Sequence, residues 1–117
     1  MCIYGTELSF DGTFNVTTIK TPNPYIDYKH CWALFTCQSG FQVQYYFDYF
    51  NTKNRNDPLW LTGEGFAKEF MSNSGDSFPT LYEWQSTDVQ VLDIQFRTDE
   101  SSVREGYKLR LRCSRIL

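Results

Sequence analysis

The stretch "FQVQYYF", Phe41 to Phe47, alternates with the period of a β-strand. Phe41, Val43, Tyr45 and Phe47 fall on one face, and Gln42, Gln44 and Tyr46 on the other. "YKLRLRC" near the end of the chain does the same, setting Tyr107, Leu109, Leu111 and Cys113 against Lys108, Arg110 and Arg112. "VLDIQF" sets Leu92, Ile94 and Phe96 against Asp93 and Gln95. "CWALFTC", Cys31 to Cys37, is a more continuous apolar run and predicts a strand covered on both sides, with Trp32 packed inside. Turn signals separate these runs at Asp11-Gly12, Pro22-Asn23-Pro24, Ser39-Gly40, Asp57-Pro58 and Asn73-Ser74-Gly75-Asp76. Short strands with frequent turns predict an all-β sandwich or barrel. One segment departs from this pattern: "GFAKEFMSN" places Phe66 and Phe70 at i, i+4 among good helix formers, which predicts a turn or two of helix.

The 117 residues amount to a single domain, 1–117, with an 18% aromatic share to fill its core. A net charge of −3 excludes a general nucleic-acid binder, which needs a broad basic surface to displace counterions. No apolar run approaches the ~18 residues of a membrane span. The opening "MCIYGTELSF" has neither the basic n-region nor the apolar h-region of a signal peptide, which points to a module of a longer chain. Cys2, Cys31, Cys37 and Cys113 contain no CxxC pair, and His30 is the one histidine, so paired zinc-type spacing is missing. Four widely spaced cysteines in a small domain read as two disulfides, with three pairings open. "NVT" makes Asn15 an acceptor for N-glycosylation. Together these place the chain outside the cell, secreted or as the extracellular part of a larger protein.

Five strings in order resemble the CUB domain, an extracellular antiparallel β-sandwich of jelly-roll type. They are "IKTPNPYIDYKHCWALF", "FQVQYYFDYFNTK", "DPLWLTG", "VLDIQFRTDES" and "EGYKLRLRC". Each is weak alone; all five, in order across about the whole chain, are specific. The shortened loop before Asp57 resembles CUB modules of nematode secreted lectin-like proteins. The resemblance implies a first bridge Cys2–Cys31, and it leaves Cys37 and Cys113, on strands that would be neighbours, for a second. Each bridge would close a long loop, worth about 3–5 kcal/mol in chain-entropy models. Many members carry another disulfide beside the D-x-V strand, and this sequence has no cysteine near Asp57 or Phe70.

In calcium-binding members a Glu, Asp, Asp trio on the loops holds the ion and receives a basic side chain from a partner protein. By position the two aspartates are Asp57 and Asp99, and Lys53 stands where the family has its glutamate. An ammonium has no lone pair for a metal and repels it. The resemblance therefore implies a remnant rather than a full Ca2+ site, with Lys53 neutralising Asp57 and Asp99, and no other cofactor. The alternatives are a weak Ca2+ site using Asp57, Asp99 and Asn ligands, and a Lys53 that simply points to water.

A second candidate site is the closing strand. Lys108, Arg110 and Arg112 share a face at a spacing of about 7 Å, with Arg104 and Arg115 near its ends. Such a row can grip a sulfated glycan or an acidic protein, while its more ordinary role is a solvated strand face that discourages edge pairing. Tyr45, Tyr46, Tyr49, Trp60, Tyr82 and Trp84 cannot all be core, and those that alternation turns outward suit protein or sugar contacts, with Tyr49 and Trp60 as the candidates; for any one of them core packing is the ordinary reading. Catalysis has little support: His30 is the sole imidazole and no Gly-rich phosphate loop is present. The chain is expected to be a non-enzymatic module that binds an extracellular protein. A carbohydrate or glycosaminoglycan binder and a structural or oligomerisation module are the alternatives.

Overall fold

The computed structural model describes residues 7–12, 16–20, 30–51, 58–70, 83–97 and 106–116, with the backbone alone for 7–12 and residue 30. Among these, nine strands form and no helix: β1 (Glu7–Gly12), β2 (Thr17–Lys20), β3 (His30–Cys37), β4 (Phe41–Asn51), β5 (Leu59–Gly63), β6 (Phe66–Phe70), β7 (Gln85–Ser86), β8 (Val91–Arg97) and β9 (Gly106–Arg115). They build one sheet in the order β1-β3-β8-β5-β6 and a second in the order β2-β9-β4-β7. All pairings are antiparallel except β1 with β3, which run parallel.

The core forms where the alternating strands turn their apolar faces toward each other. Phe41, Val43, Tyr45 and Phe47 of β4 are buried, as are Tyr107, Leu109, Leu111 and Cys113 of β9 and Leu92, Ile94 and Phe96 of β8. All three alternations read from the sequence hold. Each large side chain so buried contributes about 1.5–3 kcal/mol. Tyr45, Phe47, Phe66 and Phe70 meet edge-on at ring separations between 5.2 and 6.4 Å, the arrangement favoured by aromatic quadrupoles.

Two expectations are corrected. "GFAKEF" is not helical: Phe66–Phe70 is strand β6, paired with β5 through the Gly63–Phe66 hairpin. A spacing of four is even, so Phe66 and Phe70 share a face in a strand just as they do on a helix. The tight turn at Gly65, with φ of 77°, and the ladder to β5 settle which. Trp32 is not inside. Cys31, Ala33, Phe35 and Cys37 take the inner face of β3, so Trp32, Leu34 and Thr36 stand half-buried on the outer face.

Cys37 and Cys113 are bonded, with their Cα atoms 5.7 Å apart. Their strands are not hydrogen-bonded neighbours. β3 and β9 belong to different sheets, so the bridge ties the two layers together. Cys31 is also disulfide-bonded, while Cys2, its expected partner, lies outside the described residues.

Candidate functional site

The outer face of the second sheet is where the row of cations sits. Leu109 and Leu111 point into the core, which forces Lys108, Arg110 and Arg112 outward. Ile19 does the same for β2, turning Thr18 and Lys20 out beside them, with Lys20 in register with Lys108 and Thr18 with Arg110. On the other flank β4 sets Gln44 opposite Arg112 and Tyr46 opposite Arg110.

A bulge in β4 supplies the counter-charge. The register slips between Phe47 and Tyr49, so that Asp48 is the extra residue beside Lys108. Phe50 thereby returns to the core against Tyr107, and the Asp48 carboxylate stays on the outer face. Its Oδ2 accepts from Arg110 Nε at 2.8 Å and lies 3.4 Å from Lys108 Nζ. The hydrogen bond to Asp48 pushes the Arg110 guanidinium above its ordinary range, so it is charged at every accessible pH.

Arg112 is held differently. Its Nε donates to Gln44 Oε1 at 2.8 Å, and Gln44 Nε2 donates in turn to Ser86 Oγ at 2.9 Å. The guanidinium carbon lies 4.0 Å from the centroid of the Trp84 ring, and Trp84 packs on Tyr46 at 4.5 Å. The segment carrying Trp84 is fastened to β4 by Thr87. Its N–H and hydroxyl both donate to Val43 O, at 3.1 and 2.7 Å, while Val43 N–H donates to Val89 O at 2.8 Å. Asp88, at a φ of 61°, turns the chain there, and its N–H donates to Gln42 Oε1.

Of the residues singled out from the sequence, this face gathers Lys108, Arg110, Arg112 and Tyr49. Trp60 lies on the outer face of the other sheet, where its Nε1 donates to Glu69 Oε2 and Arg97 approaches its ring at 5.9 Å. Lys53, Asp57, Asp99, Arg104 and Asn15 lie outside the described residues. Among the described residues no group of three His, Cys, Asp or Glu is placed to hold a metal. Asp48, Gln44 and the pairing of Trp84 with Arg112 escaped the sequence reading. One signal was available for Asp48: in "FDYF" the apolar positions pass from odd to even numbering, Phe47 then Phe50, which marks a bulge.

A family model for the CUB domain matches residues 5–111. The chain belongs to the CUB domain family. The CUB sandwich is also found by structure. The full extracellular region of zebrafish Gpr126/Adgrg6 aligns at a TM-score of 0.79 and 14% identity, covering 94% of this chain and 15% of that one. The CUB1-EGF-CUB2 domain of human MASP-1/3 aligns at 0.72 and 21%, covering 95% and 42%. The MASP-1 CUB2 domain, in a crystal structure bound to Ca2+, aligns at 0.70 and 24%, covering 94% and 99%. This chain is thus the length of one CUB domain and a fraction of the first two chains. No curated protein sequence matches it. CUB domains occur in extracellular regions and are generally non-catalytic binding modules. Among the described residues no helix is long and apolar enough to cross a membrane.

Proposed function

We propose that this CUB domain is a secreted, non-catalytic module that binds an extracellular protein through the outer face of its second sheet. The observation that carries the reading is Arg112, braced by Gln44 and stacked on Trp84 beside Tyr46 and Arg110. Arg, Trp and Tyr dominate the energetics of protein interfaces. A side chain already held in one rotamer loses less entropy on binding. The sequence supports a module whose Asp57 and Asp99 are neutralised by Lys53 rather than by a full calcium site, which moves the contact surface away from those loops.

The test is a binding screen against secreted and cell-surface proteins with three forms: the natural chain, Arg110→Glu/Arg112→Glu, and Trp60→Ala as the opposite-face control. Ligands kept by the control and lost by the double variant support the reading. Ligands kept by the double variant overturn it, provided that melting temperatures match.

A sulfated glycan on the same face is the second reading. It is favoured by the cations Lys20, Lys108, Arg110 and Arg112, which among the described residues share the strands of this face with a single carboxylate, Asp48. It predicts retention on heparin that falls steeply with salt.

A further inference from the structure

Resting on the proposed contact face, we infer that its ligand is an extended acidic peptide segment whose alternate side chains carry carboxylates, received by the Nη edges of Arg110 and Arg112. The two arginines are two residues apart on β9 and share the outer face, so their side chains repeat at about 7 Å. The same spacing separates alternate side chains of any extended peptide. A segment running along β9 would therefore meet one guanidinium with each outward carboxylate, in register and without bending.

The way the arginines are held leaves the needed edges open. A guanidinium has five N–H donors, one on Nε and four on the Nη pair. Arg110 spends Nε on Asp48 and Arg112 spends Nε on Gln44, both at 2.8 Å. Among the described residues no hydrogen bond takes an Nη group of either. Each guanidinium is thus braced from its stem side, with the fork that fits a carboxylate bidentately still offered. Trp84 covers one face of Arg112 at 4.0 Å, and Tyr46 lies 5.9 Å from Arg110. The indole cover displaces water from one side of the Arg112 guanidinium, a group weakly hydrated already, and strengthens its pull on an anion.

Charge argues the same way. Among the described residues the strands of this face set four outward cations against one carboxylate, Asp48, although the whole chain carries −3. An excess of cations on these strands steers an acidic segment toward them. Asp48 in the middle of the row also weighs against a ligand that is uniformly and densely anionic. A segment with a carboxylate at every second position can straddle it.

The experiment measures anisotropy of two fluorescent seven-residue peptides, one alternating serine with glutamate and one alternating serine with glutamine, against the full chain. The Arg110→Lys/Arg112→Lys variant keeps the charge and removes the fork. Expected are saturable binding of the glutamate peptide, no binding of the glutamine peptide, and at least a tenfold loss in the lysine variant at unchanged melting temperature. Equal affinity in natural and lysine proteins overturns the inference, since charge alone would then suffice. Heparin binding that exceeds peptide binding and is unaffected by lysine also overturns it, in favour of the glycan. Absence of peptide binding while the glutamate variant still loses ligands in the screen sinks the acidic segment and leaves the contact face standing. If the screen too is indifferent to the face, both fall.

Discussion

The guanidinium carbon of Arg112 lies over the Trp84 ring, 4.0 Å from its centroid, though the residues are far apart in sequence. Trp84 is half-buried, so the contact is expected to couple by about 0.5–1 kcal/mol. A double-mutant cycle of Arg112→Ala and Trp84→Ala, read by urea unfolding, measures it. Additive single effects would show that the stack contributes nothing to stability. Arg112→Ala alone should also shift Trp84 emission.

Alkaline pH should destabilise the core through its buried phenols. Burial pushes the Tyr45 phenol up to about 12 from an ordinary 10.0, and raises Tyr107 as well. A raised folded pKa contributes stability in full below the unfolded value, and that stability is lost as pH rises toward the folded one. The melting temperature is therefore expected to hold to about pH 10 and fall between about 10 and 12. Tyr45→Phe should flatten the first part of that fall, measured by melts across pH.

The Cys37–Cys113 bridge closes a separation of 76 residues. Chain-entropy arithmetic puts its loss at about 4.5 kcal/mol. Cys37→Ala/Cys113→Ala should lower the unfolding midpoint steeply while leaving the other disulfide intact. A midpoint shift worth less than about 1 kcal/mol would mean that the sheets hold together without the tie.

Gly63 is expected to tolerate no side chain. A Cβ there would stand 2.9 Å from Val91 O and 3.0 Å from Val89 Cγ2, and the carbonyl belongs to a neighbouring strand that cannot yield cheaply. Gly63→Ala should cost about 1–3 kcal/mol through overpacking. Gly65 has open space but a φ of +77°, so Gly65→Ala should cost about 1 kcal/mol from backbone strain alone. Urea midpoints separate the two.

Calcium should leave the natural chain's melting temperature unchanged and raise that of Lys53→Glu. That variant restores the glutamate of the family's Glu, Asp, Asp trio, whose two aspartates correspond by position to Asp57 and Asp99. Melts in excess calcium and in EDTA decide this. A calcium shift in the natural chain would remove Lys53 from its proposed role.

What the sequence determined by itself was the orientation of side chains along each strand. Leu109 and Leu111 in, Arg110 and Arg112 out, follow from consecutive residues and a period of two, and the order of short strings was enough to reveal the family. Tertiary structure alone decided which strands meet and what the outward residues touch. Phe66 and Phe70 satisfied both periods until β5 paired with them. Trp32 read as core because an apolar run does not say which of its faces is covered. Arg112 found Gln44 and Trp84, and Asp48 found Arg110, because β4 and β9 pair across a long separation and slip by one residue at a bulge. Local alternation is a property of neighbours along the chain; those contacts are set by sheet order, and sheet order by how two apolar faces pack.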